Sequence, residues 1–322
     1  MIMVKDMKKG TAFFFLVLGL ISLGIYFNYD KIEPKVFQVI NNGIDYMDKS
    51  GLTEITSEGN LISDTETNHL EDSGLSGKNV VIEKTYYPYY GMLSDKEQIL
   101  YKQVYENIEN VKTTFVPIEE STVDEVNRVI EFVYNDHPEF FWMDTNYTYK
   151  YTEDNICAQV ILKYNETSQY LDTAKKNLDE IVTPIIEEAR NYSTDYEREK
   201  YVHDVLIKNM EYQETSALNQ TMYSALVLKK SVCAGYSRSF QYILTRLGIP
   251  TYYVTGTAEG DHAWNIVKLG NDYYNVDITW DDNPNNIYAY FNLSDDTFSK
   301  THTRTRDSVN LPKCEGKKYE NR

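Results

Sequence analysis

Asp261-His262-Ala263-Trp264-Asn265-Ile266-Val267-Lys268-Leu269-Gly270-Asn271-Asp272-Tyr273-Tyr274-Asn275-Val276-Asp277-Ile278-Thr279 reads as a β-hairpin. Two runs of β-branched and aromatic residues flank Gly270-Asn271, a turn signal. A two-residue loop there pairs Leu269 with Asp272. Counting outward, Val267 meets Tyr274, Asn265 meets Val276 and Ala263 meets Ile278. That face is mostly apolar and belongs on a core. The opposite face pairs Trp264 with Asp277 and His262 with Thr279, so Asp277 is a diagonal neighbour of His262. A four-residue loop keeps this parity, whereas a three-residue loop destroys it. Alone, His262 reads as a structural histidine and Asp277 as a strand-end turn cap. Neither reading explains why both share the face opposite the apolar one.

Upstream, Ser231-Val232-Cys233-Ala234-Gly235-Tyr236-Ser237 opens a helix. Tyr236, Phe240, Ile243, Leu244 and Leu247 recur on one buried face. Gly248 stops the helix and Pro250 follows. Cys233 therefore falls in the first turn. Unpaired N–H groups and the helix dipole favour an anion there, and a thiolate is such an anion. The competing reading is a small buried hydrophobe. Taken with the hairpin, the three residues read as nucleophile, base and orienting group.

Further outward, Ser94–Glu109 and Thr122–Asn135 show helical periodicity. Asp136-His137-Pro138 ends the second of them, because proline cannot continue a helix. Phe140–Tyr151 and Ile156–Tyr164 read as strands, and 170–190 and 195–210 as helices. The later helix starts at Ser193-Thr194-Asp195, and a third helical stretch, Ala217–Leu228, leads to the cysteine. The fold class expected is α+β.

Three lysines, Lys5, Lys8 and Lys9, precede Thr11–Phe27, a run with no charged residue that just reaches bilayer-spanning length. Basic residues on its N-terminal side keep that end in the cytoplasm. The expectation is a single-pass anchor in the cell membrane with the remainder outside. The alternative is secretion after signal cleavage, although Ser22-Leu23-Gly24 is a poor cleavage site. From Asn42 to Lys84 acidic residues outnumber basic ones nine to three and Tyr46 is the only aromatic, so this stretch reads as a flexible stalk. The organisation expected is a membrane anchor or signal over 1–28, an acidic stalk over 29–84, an α/β accessory region over 85–170, a catalytic domain over 171–300 and a polar tail over 301–322.

A net charge of −17 excludes a nucleic-acid partner, which needs a cationic footprint. Such a surface also repels anionic cell-wall polymers unless the field is locally inverted. The 29 tyrosines read as the rim of a wet core or as a face for peptides and polymers. Cys157, Cys233 and Cys314 make no disulfide framework and no metal spacing, and Cys157 and Cys314 read as inert. No acidic cluster has calcium-loop spacing. A zinc set of His203, Cys233 and His262 lacks any closely spaced ligand pair. His137 reads as a helix cap, His203 as a helix residue facing solvent or core, and His302 as part of a polar tail. No cofactor is expected.

Val232-Cys233-Ala234-Gly235-Tyr236, Gly260-Asp261-His262-Ala263-Trp264-Asn265 and Asp277-Ile278-Thr279-Trp280-Asp281 together resemble the transglutaminase-like superfamily core, in its order and spacing. The likeness is strong from about Glu197 to Asp282. Asp136-His137-Pro138-Glu139-Phe140-Phe141-Trp142 and Tyr290–Asp295 resemble flanks of bacterial, clostridial-type members. The resemblance implies a papain-like core, a cysteine-bearing helix packed on an antiparallel sheet. It implies Cys233 as nucleophile, His262 as general base then acid, and Asp277 as the residue orienting the imidazole. A peptide or carboxamide carbonyl would be attacked to give a thioester, resolved by water or an amine. The Cys233 backbone N–H and one further donor, Tyr223 or Trp264, would hold the developing charge. The partner expected is a peptide or protein substrate, cell-wall peptide among them. Rival readings are a catalytically silent binding module on the same fold, or a structural surface protein with an aromatic face for cell-wall polymer.

Overall fold

A computed structural model describes residues 52–284 and 287–320. The strands are β1 (Thr56–Leu61), β2 (Thr114–Phe115), β3 (Asn146–Tyr151), β4 (Cys157–Ile161), β5 (Glu211–Tyr212), β6 (Lys230–Ser231), β7 (Thr251–Thr257), β8 (Asp261–Leu269), β9 (Asp272–Val276) and β10 (Thr303–Arg304). The α-helices are α1 (Asp64–Thr67), α2 (Pro88–Met92), α3 (Asp95–Glu109), α4 (Val123–Asp136), α5 (Leu171–Ala189), α6 (Asp195–Asn209), α7 (Cys233–Arg246), α8 (Ile278–Asp281) and α9 (Asp295–Phe298). This is the mixed helix-and-sheet architecture expected.

Helices α3, α4 and α6 begin with the same device. Ser94, Thr122 and Thr194 each accept the N–H of the glutamate three residues on, at 3.4, 3.2 and 3.2 Å. Each glutamate reaches back to the cap's backbone N–H, closing a capping box. Ala217–Leu228 forms no α-helix of that length. Its last five residues make a π-helical turn that ends on left-handed Lys229.

Two four-stranded sheets form. One runs β1-β3-β4-β2, with β1 parallel to β3. The other runs β10-β7-β8-β9, antiparallel throughout. Helix α7 packs across β7 and β8, burying Tyr236, Phe240, Ile243 and Leu244, four of the five apolar positions read from its periodicity. Leu247 is half-buried. The hairpin has the expected register, with Leu269 opposite Asp272, Val267 opposite Tyr274 and Asn265 opposite Val276. The ladder stops there. Asp277 leaves the strand to cap α8, so the expected Trp264–Asp277 pair is replaced by a helix start.

Two expectations are corrected. Residues 52–84 are not wholly a stalk: Thr56–Leu61 is hydrogen-bonded to β3, and Asn107 takes the Leu75 N–H at 2.9 Å. Backbone pairing to a sheet edge, which composition does not register, orders the strand. The remainder of the expected stalk and the Thr11–Phe27 run lie outside the described residues. Among the described residues no helix is long and apolar enough to cross a membrane. Residues 301–320 are not a loose tail either. His302, Leu311 and Cys314 are buried, and β10 pairs with β7.

The region before residue 170 is sewn to the rest by long-range polar bonds. The Tyr89 hydroxyl donates to the Tyr253 carbonyl at 2.8 Å, the Gln241 amide donates to Asn135 O at 3.0 Å, and Arg238 donates to Tyr134 O. Phe240, fully buried between α7 and the sheet, tests the packing. Phe240→Ala is expected to cost about 3–5 kcal/mol, read as a lowered chemical-denaturation midpoint at unchanged slope.

Candidate active site

Cys233 is the first residue of α7, preceded by Val232, which supplies no side-chain cap. The first-turn N–H groups are therefore left to whatever sits at the sulfur. Gly235 explains the residue pattern here. A Cβ on it would collide with Ser231 Oγ and lie 2.7 Å from Thr221 O. The Ser231 hydroxyl is itself pinned to Asn219 O. Only glycine lets α7 start this close to the preceding loop.

Two bonds hold α7 against β8. The Ser237 hydroxyl donates to Ala263 O at 3.0 Å, and the Asn265 amide donates to Ser237 O at 3.1 Å. Cys233 thereby packs on Ala263 and Tyr253. His262, one residue before Ala263, is near enough for the Cys233 thiol to be among the groups that raise its imidazole.

His262 Nε2 lies 2.7 Å from Asp277 Oδ2, which leaves Nδ1 as the nitrogen for Cys233. Burial disfavours the imidazolium, but the Asp277 carboxylate and the Cys233 thiol outweigh it and raise His262 to about 10. Asp277 is fully buried. Burial alone would raise its carboxyl, yet His262 and His302 hold it far below the ordinary range. Its Oδ1 also accepts the Thr279 and Trp280 N–H groups at 2.9 and 3.2 Å. The carboxylate is thus the N-cap of α8 and the partner of His262 together.

His302 is a residue that reading the sequence missed. Its Nε2 lies 3.1 Å from the same Asp277 Oδ2, and its Nδ1 lies 2.8 Å from the Thr301 hydroxyl. The ring stacks on Phe298 at 4.0 Å. Gly256 admits this segment: a Cβ there would meet Thr303 O and come within 2.7 Å of the Trp264 ring. No local pattern marks His302, because it arrives from 25 residues beyond Asp277. His262, Asp277 and His302 present donor atoms all within 4.8 Å, a spacing that could also hold a metal ion. The distances of 2.7 and 3.1 Å fit two N–H groups donating to one oxygen.

The remaining candidates are placed differently from expectation. Tyr223 stacks on Phe141 at 4.9 Å, with its hydroxyl toward Asn177. Trp264 stacks near His262, and its indole N–H points to Asn275 Oδ1 at 3.4 Å. Neither donor group is aimed at the sulfur. Two phenols feel the Cys233 charge: Tyr253, which packs on it, and Tyr212, whose strand β5 pairs with β6 just ahead of the cysteine. Burial, the largest cause, raises Tyr253, and the Cys233 charge adds to it. For Tyr212, burial, then the Cys233 and Asp277 charges among others, push the phenol to about 12, so it stays a donor. Nothing in the sequence singles it out among 29 tyrosines. His203 is core: its Nε2 lies 3.1 Å from Asp281 on α8 and its Nδ1 3.0 Å from Asp204, which separates it from any zinc set with Cys233. His137 ends α4 as expected, 2.8 Å from Glu139. Cys157 and Cys314 are buried, and burial pushes both thiols up, Cys157 to about 12.

Because the folded His262 titrates above its ordinary 6.5, stability from its charged form is fully present below about 6.5 and lost as pH rises through about 10. Unfolding free energy is expected to fall between pH 7 and pH 10, and to fall less in His262→Gln, as read by denaturant titration at each pH. Gly235→Ala is expected to destabilise by about 1–3 kcal/mol or more, with the loss concentrated in α7 by amide exchange.

Residues 184–278 match the family model of the transglutaminase-like superfamily, a span that includes Cys233, His262 and Asp277. A kyphoscoliosis peptidase of Homo sapiens is 29% identical over 126 residues, covering 34% of this chain and 19% of that protein. That of Mus musculus is 27% identical over the same length. This chain therefore spans about a fifth of the length of the curated relatives it matches. A crystal structure of a candidate cysteine protease from Cytophaga hutchinsonii aligns with TM-score 0.31 and 18% identity, over 39% of this chain and 41% of that one. A TGase crystal structure aligns with TM-score 0.29 and 16% identity, over 58% and 48%. Over residues 184–278 the chain is thus similar to the transglutaminase-like superfamily.

Proposed function

We propose that the protein is a cysteine-dependent acyl-transfer enzyme acting on peptide or carboxamide bonds. The observation that carries this reading is the line from the Cys233 thiol at a helix start, through His262, to Asp277 at 2.7 Å. The peptidase name of the matched relatives supports the same class.

Each residue then has one task. The Cys233 thiolate attacks the carbonyl carbon, and the imidazolium beside it keeps the sulfur nucleophilic. Charge gathers on the carbonyl oxygen, which first-turn N–H groups of α7 would receive, with the Tyr212 hydroxyl as the candidate second donor. His262 passes its proton to the leaving nitrogen, the C–N bond breaks, and a thioester with Cys233 remains. Water or an amine then loses a proton to His262 and attacks the thioester, and the thiolate returns. Asp277 keeps the imidazole turned with Nδ1 toward sulfur throughout. Among the described residues the other two thiols have no imidazole bonded to them.

The setting proposed follows from the N-terminal sequence: an enzyme outside the cytoplasm, tethered through Thr11–Phe27, with peptides or proteins of the cell surface as substrates.

The test is alkylation of the full chain by a thiol-selective electrophile, with peptide mapping of the modified cysteine, followed by turnover of activity-selected peptide amides. Cys233 is expected to react while Cys157 and Cys314 stay protected, and His262→Ala to slow that reaction. Cys233→Ala, His262→Ala and Asp277→Asn are each expected to lower turnover by roughly 10⁴-fold. Reaction of Cys233 at the same rate with and without the imidazole would leave a silent binding module on this fold.

A further inference from the structure

A nucleophile has to be reached. An attacked carbonyl carbon must come to about 3–3.5 Å from the sulfur, yet Cys233 is only 1% exposed and His262 6%. The partly buried hydrophobic packed against the Cys233–Tyr253–Ala263 cluster is Leu52. Leu52 stands just ahead of β1, in a stretch with no regular structure.

The three residues after it continue along a groove. The Thr53 N–H donates to Gln220 Oε1 at 2.8 Å. Glu54 pairs with Arg306. Leu52, Thr53, Glu54 and Ile55 all line this groove, with Tyr253, Arg238 and Arg306 on its walls. A side chain reading a backbone N–H is one way an extended peptide is bound, and Leu52–Ile55 runs as such a segment along one wall of the groove.

The groove also holds a cation with unused capacity. Arg238 is 2% exposed, held between the Tyr134 and Tyr253 rings at 3.8 and 4.2 Å. Its Nη1 bonds the Tyr134 carbonyl, its Nε has no hydrogen-bond partner, and among the described residues no carboxylate pairs with it. Glu131 also lines the groove, 3.6 Å from Arg306. Two arginines in an otherwise strongly acidic protein fit an acidic side chain at this end.

We propose that Leu52–Ile55 is a cis cover lying where the enzyme binds an extended substrate segment, with an aliphatic residue over the Cys233 cluster and an acidic residue two positions later, facing Arg306. Cys233 stays covered until that segment leaves or is displaced. The inference rests on the acyl-transfer reading. The segment is lightly held, by one backbone bond, one exposed ion pair and one aliphatic contact, which is what a displaceable occupant requires.

The experiment measures the second-order rate of Cys233 alkylation by iodoacetamide in the full chain, with mapping of the modified peptide. Wild type is compared with Leu52→Gly and with Glu54→Lys, which sets like charges against Arg306. Both variants are expected to react about tenfold faster, the factor that corresponds to about 1.4 kcal/mol. Adding the free hexapeptide Gly-Leu-Thr-Glu-Ile-Thr to Leu52→Gly is expected to restore the slow rate, and its Glu-to-Lys analogue is expected not to. Equal rates in wild type and both variants, with no protection by the peptide, overturn the proposal. His262→Ala in the Leu52→Gly background separates the two readings. If it abolishes a rate that Leu52→Gly failed to raise, only the cis occupant falls. If the raised rate is indifferent to it, the occupant stands and the acyl-transfer reading falls.

Discussion

The Asp277 carboxylate is the constraint on which the rest of the site depends. An ionised carboxylate with no exposed surface is costly unless its lone pairs are filled. Here four donors fill them. His262 and His302 share Oδ2 while the Thr279 and Trp280 N–H groups share Oδ1. Those partners come from β8, from the segment before β10 and from α8, so one charge draws three separate parts of the chain to a point. Removing it would leave two histidines and a helix start without a partner, and the damage would be structural as well as chemical.

Placement of α8 is secured from its other end. Asp281 is fully buried and lies 3.1 Å from His203 on α6, and its Oδ1 takes the Tyr290 N–H at 2.7 Å. A helix of four residues has little stability of its own. Its two aspartates are its stability, each tied to a histidine, one at the cap and one a turn later. The Cys233 helix is fixed by different means, through Ser237 and Asn265 to β8 and through Gly235 to the loop before it. Sulfur and imidazole therefore meet because two rigid pieces are each bolted to the same strand.

What sequence reasoning could see follows the range of the interactions. The hairpin register, the helix carrying Cys233 and the His262–Asp277 neighbourhood were legible because periodicity and a two-residue turn fix relations within about twenty residues. The Ser/Thr-to-Glu boxes of α3, α4 and α6 are local as well. Asp277 was read within the returning strand, with a strand-end cap as the other reading, and it is a cap, since alternation cannot show where a ladder ends. His302 and Leu52 were invisible for the opposite reason. Each reaches the site across a gap that composition and period do not encode, and each sits in a polar stretch that reads as tail or stalk. Tyr223 and Trp264 were nominated for their donor groups, but Asn275 claims the indole N–H and the Tyr223 phenol turns toward α5.

The three buried thiols of this chain differ in their neighbours. Cys157, Cys233 and Cys314 are all nearly inaccessible, so burial does not distinguish them. Cys157 lies in a sheet, and burial raises its thiol against the lesser opposing effect of the Gln159 N–H. Cys314 has the Arg304 guanidinium 3.4 Å away, but Asp295 is bonded to both the arginine and the Cys314 N–H, and the thiol is still raised. Of the three, Cys233 is the one near an imidazole, that of His262, which, against the effect of burial, the buried Asp277 carboxylate pushes upward. An unscreened charge acts more strongly where water is excluded, so a neighbouring ionisable group matters more to a buried sulfur than to an exposed one. In the acyl-transfer reading proposed above, the His262 imidazole is what would set Cys233 apart from two thiols that are equally buried.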